Sequence, residues 1–387
     1  MNWPLMHDAI SLKDRIKLAC FILSAKRFTK GNVTRDFESK WSSWQESKYS
    51  VFVNSGSSAN LIMISAIKEY YKLKDGDKIL VPAVTWVTNI SPIIQLGLQP
   101  VFCDINLHDF SFDYEELQNI KKQHPDIKCI FVTHLLGLPA NIPAIRNVFP
   151  NTTLIEDCCE SHGAILNGTK VGNFGDCSSF SFYFGHHMTT IEGGIISTDN
   201  YDLYKILLLK RSHGLARELP WECFVEECQK HSDLDPKFLF LTDGFNVRST
   251  EINAFLGIEQ LKKLNKIIET RKINFEYFIR NFLNYYQDIF YIPKQKGNSS
   301  FCLPLIFKDK NLFEKTRDAL EKYQIEYRPV VSGNLLLQPF LSKYKSEITY
   351  KNANVVQEQG MYVGNSQFIG FKHIEILSNI FHTVIIE

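Results

Sequence analysis

The densest run of reactive side chains is Ser179-Phe180-Ser181-Phe182-Tyr183-Phe184-Gly185-His186-His187-Met188-Thr189-Thr190-Ile191-Glu192-Gly193-Gly194. An imidazole titrates near neutrality, so a histidine here suits proton transfer at a reacting atom. A histidine pair also suits a metal, with Cys158, Cys159 and His162 as further donors. No paired Cys-x-x-Cys spacing supports that reading, and no metal is expected. Histidines satisfied within a core are the plain alternative. A second group, Leu154-Ile155-Glu156-Asp157, ends an apolar run with two acids, and Glu160, Ser161 and His162 follow. At the carboxyl end of a central strand, an aspartate can keep a pyridine-type ring nitrogen protonated, which makes that ring an electron sink. A loop carboxylate capping a helix is the competing reading. Third comes Asn54-Ser55-Gly56-Ser57-Ser58-Ala59-Asn60. Gly56 tolerates backbone conformations other residues avoid, and Ser57 and Ser58 offer donors at a helix start, an end that attracts phosphate. An ordinary serine cap, worth about 1 kcal/mol, would look the same. Trp86 is either a stacking platform for an aromatic ligand or core filler. Gly244-Phe245-Asn246-Val247-Arg248 is either a capped turn or a polar arm reaching a second subunit.

These groups need a scaffold, and the pattern over residues 49–156 supplies one. SVFV (50–53), KILVPA (78–83), QPVFCDI (99–105), IKCIFVTHLLG (127–137) and TTLIED (152–157) read as strands, the fourth running into a loop. Between them, Leu61, Ile64, Ile67 and Tyr71 recur at helical spacing. Further helices are predicted over 114–123 and 142–149, and a turn with a helix from Val84 to Leu96. Strands alternating with helices imply an α/β fold, its mostly parallel sheet covered on both faces, with sites at the carboxyl ends of the strands. The acid pair and the serine loop fall at such ends. Residues 165–198 are short, aromatic and β-rich; residues 251–283 read as one long helix or two joined helices. Strands at 301–307 and 325–331 and helices at 312–323 and near 372–382 suggest a smaller α+β unit. The predicted division is a large domain over residues 1–265, with an N-terminal helical segment, and a small one over 266–387.

Bulk properties narrow the class. A chain of 387 residues is too long for one small core. Its 43 Lys and Arg nearly balance 42 Asp and Glu, so no bulk field recruits nucleic acid or an acidic membrane. No run of apolar residues is long enough to span a membrane. MNWPLMHDAI lacks a basic segment followed by an apolar one, so no signal peptide is expected. The nine cysteines are odd in number and scattered, which points to a reducing cytosol rather than a disulfide framework.

In register along nearly the whole chain stand FTKGNVTRDFESKW, NSGSSAN, VPAVTW, IEDCCESHGA, SFSFYFGHHMTTIEGG, GFNVRSTEINAFLGIEQLKKL, RPVVSGN and YVGN. Together they resemble the DegT/DnrJ/EryC1/StrS sugar aminotransferases, a family of pyridoxal-phosphate enzymes of fold type I. That family carries a lysine six residues before the glutamate of Glu-Gly-Gly, and the lysine bonds covalently to the cofactor. Six residues before Glu192 stands His186, which has no primary amine and cannot make that bond. The substitution is shared by a small branch, the sugar 3-dehydratases. The doubled histidine, the Cys-Glu-Ser after the acid pair and the Asn-Val-Arg motif are similar to members acting on GDP-linked 4-keto-6-deoxymannose.

The resemblance implies a large domain with a mostly parallel mixed sheet, and pyridoxal or pyridoxamine phosphate as cofactor. It implies that Gly56, Ser57, Ser58 and Ser181 meet the cofactor phosphate, that Trp86 stacks on the ring and that Asp157 pairs with the ring nitrogen. Glu160 stands where aminotransferases have glutamine, near the ring hydroxyl. Asn246 would reach the phosphate of a second subunit, making a homodimer with shared sites. His213, Arg248 and Arg328 are implied contacts of the substrate or of glutamate, the expected amino donor. His186 would move the proton that drives loss of the C3 hydroxyl from a nucleotide-linked 4-keto-6-deoxy sugar of mannose or heptose type, GDP-linked by preference, with release of ammonia. Sugar selectivity is expected to vary within residues 215–240. Three rivals stand beside this reading. The iron–sulfur branch, which acts on CDP-4-keto-6-deoxyglucose, uses four cysteines including a Cys-x-Cys pair; that pair is absent here, and Cys223 and Cys228 are five apart, so no cluster is expected. A true aminotransferase needs the lysine, and Lys170 and Lys210 do not match the motif. A binding protein without turnover would have no reason to keep the other cofactor-facing positions.

Overall fold

The computed structural model describes residues 3–344 and 349–386; residues 1, 2 and 387, at the ends of the two predicted domains, lie outside the described residues. Its main sheet is built from β1 (Tyr49–Val53), β2 (Lys78–Pro82), β3 (Gln99–Cys103), β4 (Cys129–Thr133) and β5 (Thr153–Asp157). After a small hairpin, β6 (Ile165–Leu166) and β7 (Thr169–Lys170), it is completed by β8 (Cys177–Ser181) and β9 (Gly194–Thr198). The order is β1-β9-β8-β5-β4-β2-β3. β9 runs antiparallel to both β1 and β8, while the pairs from β8 to β3 are parallel. All five residues of β4, β8 and β9 are buried, as expected for strands covered on two faces. Helices cover the sheet. Gly56–Tyr70 buries Ala59, Ile62, Met63, Ala66 and Ile67, and starts at Ser55, whose side chain accepts from the Ser58 N–H.

Two helices precede the sheet, Leu12–Ser24 and Asn32–Gln45. The second packs Phe37 and Trp41, both fully buried, against the helix Glu251–Asn281. Each such aromatic contributes roughly 2–3 kcal/mol by leaving water. Gly257 makes the approach possible, since a Cβ there would stand 2.6 Å from the Phe37 ring. Glu251 fastens the pair by accepting the N–H groups of Gly31, Val33 and Thr34 and the Thr34 hydroxyl. Burial pushes its carboxyl up, but these donors prevail and hold it below the usual range. A carboxylate at that helix start is also stabilised by the positive end of the helix dipole.

The long helix is single and continuous, which settles the alternative of two joined helices, and it carries the chain past residue 265 without a break. Beyond it lies a second sheet of β10 (Cys302–Ile306), β11 (Tyr327–Pro329) and β12 (Gly360–Gly364), ordered β10-β12-β11 and antiparallel. The N-terminus returns to this sheet, where Trp3 bridges Ile325. The helices Tyr201–Arg211 and Lys351–Gln359 and strand β12 were not among the elements predicted from the sequence. Tyr201–Arg211 is buried on several sides, so apolar and polar positions do not segregate along it. Among the described residues no helix is long and apolar enough to cross a membrane.

Candidate active site

A cavity of about 390 Å³ opens at the carboxyl ends of the central strands. Eight residues singled out from the sequence line it: Gly56, Ser57, Trp86, Asp157, Glu160, Ser181, His186 and Arg328. Sheet topology explains the convergence. β5 delivers Asp157 at its last residue, and β8, its neighbour, ends at Ser181. The helix Gly56–Tyr70 presents its N-terminus to the same point, and Gly56 is bare because a Cβ would stand 2.6 Å from that of Ser181. Free N–H groups and serine hydroxyls therefore face the cavity at one end.

At the other end Asp157 is buried and held in place. One oxygen accepts from the Cys159 N–H at 2.8 Å and the other from the Asn60 amide at 3.1 Å. Asn60 is fixed in turn by the Ser179 hydroxyl, which donates to its carbonyl. Asn89 and Thr85 extend the network through Thr133. Sequence reasoning missed Asn60 although it closes the quoted serine motif. Trp86 keeps 52% of its surface exposed over the cavity, an orientation core filler would not take.

His186 forms part of the wall, its ring 5.3 Å from that of Phe301. Its backbone carbonyl accepts from the buried guanidinium of Arg271 at 3.4 Å. Burial, and then the Arg271 charge, push the imidazole down to about 3, well below the near-neutral value expected of the isolated residue. The ring is therefore neutral at physiological pH, with a lone pair ready to accept a proton. An anionic ligand in the cavity would offset Arg271 and strengthen that base. His187 is fully buried and bonds the Ser299 carbonyl at 3.0 Å, so the second histidine of the pair is a core residue.

Glu160 receives the Leu136 N–H at 2.8 Å, and Leu136 adopts a left-handed conformation (φ 56°) to present it. Burial first, and then the charge of Asp157, raise the Glu160 carboxyl to about 7. The neighbouring donors His134, Glu156 and Cys158 approach within 4.8 Å of one another. Their capacity is already engaged. Glu156 accepts from the N–H groups of Gly172, Phe174 and Gly175 and from His134 Nε2, whose Nδ1 accepts from Ala140. The cluster buttresses the carboxyl end of β5.

Four sequence candidates do not line this cavity. The Ser58 hydroxyl receives that of Ser55. Asn246 is exposed and accepts from Arg248 Nε at 3.1 Å, while His213 is exposed at φ 61°. Conversely, Met6, Thr88, Phe301, Val331 and Tyr362 line the cavity without having been singled out, and Cys159, weighed only as a metal donor, and Tyr183, quoted only within the histidine run, line it too. Met6, Thr88, Phe301, Val331 and Tyr362 come from other segments than the acid and histidine motifs, whereas Cys159 and Tyr183 sit within them.

The site thus offers phosphate donors at one end, a fixed carboxylate at the other and an exposed indole between. That set fits a phosphorylated pyridine, and the mixed sheet with its cavity under a helix N-terminus is the fold of the type-I pyridoxal-phosphate transferases. Residues 11–369 match the DegT/DnrJ/EryC1/StrS aminotransferase family, and the chain belongs to it. It is 36% identical to the GDP-4-keto-6-deoxy-D-mannose 3-dehydratase of Escherichia coli O55:H7, covering 98% of this chain and 99% of that one. The E. coli dehydratase with bound hydrated pyridoxal phosphate superposes with a TM-score of 0.89 at 34% identity, over 98% of this chain and 99% of that one. A GDP-4-keto-6-deoxymannose 3-dehydratase holding a trapped cofactor–glutamate adduct matches with the same TM-score of 0.89 at 34% identity, over 98% and 100% of the two chains.

Proposed function

We propose that this chain is a pyridoxal-phosphate-dependent lyase that removes the C3 hydroxyl of a GDP-linked 4-keto-6-deoxy sugar. Glutamate serves as amino donor and the nitrogen leaves as ammonia. The observation that carries the reading is the imidazole of His186 on the cavity wall, at the motif position where the aminotransferases keep a lysine.

The cofactor, when bound, would supply an aminomethyl carbon that can lose a proton and a ring that acts as electron sink, so that the hydroxyl on C3, next to the C4 carbonyl carbon, can be expelled. The chain's own residues do the rest. Gly56, Ser57 and Ser181 hold the phosphate, with Ser58 stabilising the same turn through its backbone N–H. Trp86 covers the ring, and Asp157, fixed by Asn60, keeps the ring nitrogen charged. Glu160 sits close enough to that carboxylate to feel its charge and takes the ring hydroxyl's side. His186 removes the proton as a neutral base and returns it to the departing C3 oxygen. Arg328 meets the anionic substrate or glutamate from the small sheet. The balance is closed: glutamate becomes 2-oxoglutarate, its two electrons replace the C3 hydroxyl by hydrogen, and ammonia is released. Among the described residues no lysine lines the cavity, so no amine there competes for the cofactor.

Asn246, Arg248 and His213, set outside the cavity of their own chain, are assigned to a homodimer in which they approach the partner's site. We place the division near residue 265, within the long helix, with the cofactor-facing residues Gly56 to Ser181 before it and Arg328 after it. The enzyme works in the cytoplasm, where nucleotide sugars are made, and supplies a 3,6-dideoxy sugar to a surface polysaccharide. The test is incubation of the purified protein with pyridoxal phosphate, glutamate and GDP-4-keto-6-deoxymannose, followed by mass spectrometry and ammonia assay. Loss of one oxygen with stoichiometric ammonia is expected. An amino sugar as product would return the chain to the aminotransferases, and turnover only with a CDP sugar and an electron donor would point to the other dehydratase branch.

A further inference from the structure

The segment Trp3–His7 is strapped across the small sheet. The Trp3 indole N–H donates to the Gly364 carbonyl at 3.0 Å, and Trp3 is fully buried. The Glu326 N–H donates to the Trp3 carbonyl, and the Leu5 N–H donates to the Glu326 carboxylate at 2.9 Å. On the far side His7 packs its ring against Phe368 at 5.1 Å. Between these anchors, Met6 sends its side chain into the cavity wall beside His186, Tyr183 and Tyr362.

The thioether has a specific seat. A Cβ on Gly185 would stand 2.2 Å from Met6 Sδ, 2.9 Å from its Cγ and 3.0 Å from its Cε. Gly185 does not hold the left-handed conformation that would itself call for glycine. Space, not backbone, therefore excludes a side chain at the residue before His186. With the strap held on both sides, a displaced Met6 side chain has the cavity as its open direction. Methionine is flexible enough to take it.

We propose that Met6, seated on the bare backbone of Gly185, is a specificity-determining wall of the reaction cavity. It sets how much room the sugar has beside His186. The inference rests on the dehydratase reading for its substrate, but its geometry does not. Gly185→Ala expels the thioether into the cavity. Met6→Ala widens the cavity, and the double variant removes the clash.

The experiment measures kcat and KM for GDP-4-keto-6-deoxymannose, and in parallel the dissociation constant of unreactive GDP-mannose by calorimetry, on cofactor-loaded protein. Gly185→Ala is expected to raise both KM and the dissociation constant about 10- to 100-fold while cofactor content stays at the wild-type level. The double variant should return to within about twofold of Met6→Ala alone, the signature of a directly coupled pair. Met6→Ala should relax discrimination against a substrate one carbon longer. Additive effects in both readouts, or a Gly185→Ala enzyme with unchanged KM, would overturn the proposal. If the wild type binds GDP-mannose but turns over no 4-keto sugar, the dehydratase reading fails, and the calorimetric cycle still decides the Met6–Gly185 coupling.

Discussion

Replacing Glu160 by Gln tests whether the cavity stores electrostatic strain. The Glu160 carboxyl is raised from the ordinary 4.5 to about 7, chiefly by burial and secondarily by Asp157, against the opposing Leu136 N–H. A folded-state value above the unfolded one means that the native chain binds the proton more tightly. Stability is then fully present below about 4.5 and is lost as pH rises through about 7. The shift corresponds to about 3 kcal/mol, which water in the open cavity trims to about 2–3 kcal/mol. Glutamine keeps an oxygen for Leu136 but carries no charge. The variant should therefore match the wild type near pH 5 and exceed it by about 2–3 kcal/mol at pH 8. Urea unfolding of cofactor-free protein at several pH values provides the assay, because the difference between the two proteins cancels the titrating groups that do not interact with Glu160, leaving Asp157 as the one named partner whose titration changes with it. A difference that does not change with pH, or a variant weaker than wild type at pH 8, would refute the reasoning.

His186→Ala should lower kcat about 10²- to 10⁴-fold with little change in cofactor content, whereas His186→Lys should gain a borohydride-trappable bond to the cofactor, visible by mass, and lose dehydration. Trp86→Ala, at a residue 52% exposed, should weaken cofactor binding roughly 3- to 10-fold by fluorescence titration while leaving the melting temperature unchanged. Arg211 donates to the Glu38 carboxylate at 2.5 Å and to the Phe52 carbonyl at 3.1 Å with only 1% of its side chain exposed. Arg211→Ala should thus cost about 3–5 kcal/mol, read as a lower urea midpoint, because it strands a buried carboxylate far from the cavity.

The origin of the His186 environment separates local from tertiary information. Counting six residues back from Glu192 located the imidazole, because the motif is contiguous. Its basicity was not legible there. Arg271, which helps to depress it, stands 85 residues further along the chain. The same holds for Glu160, whose raised carboxyl depends on enclosure and on a left-handed Leu136 that nothing in its side chain demands.

Strands β1 to β5 and their helices were legible because burial on two faces leaves continuous apolar runs and one-sided helices leave a repeat of three to four residues. The acid, serine and histidine motifs were legible because each sits where a strand ends, so that a single turn carries its meaning. Sequence alone therefore determined the fold class, the family resemblance and the exchange of an amine for an imidazole. Tertiary structure decided which of those residues share one cavity, that His187 belongs to the core, that Asn60 fixes Asp157, and that Met6 comes back across the small sheet to meet Gly185. The physical reason is chain distance: such contacts are set by how whole elements pack, and packing writes no periodic or local pattern into the residues that make it.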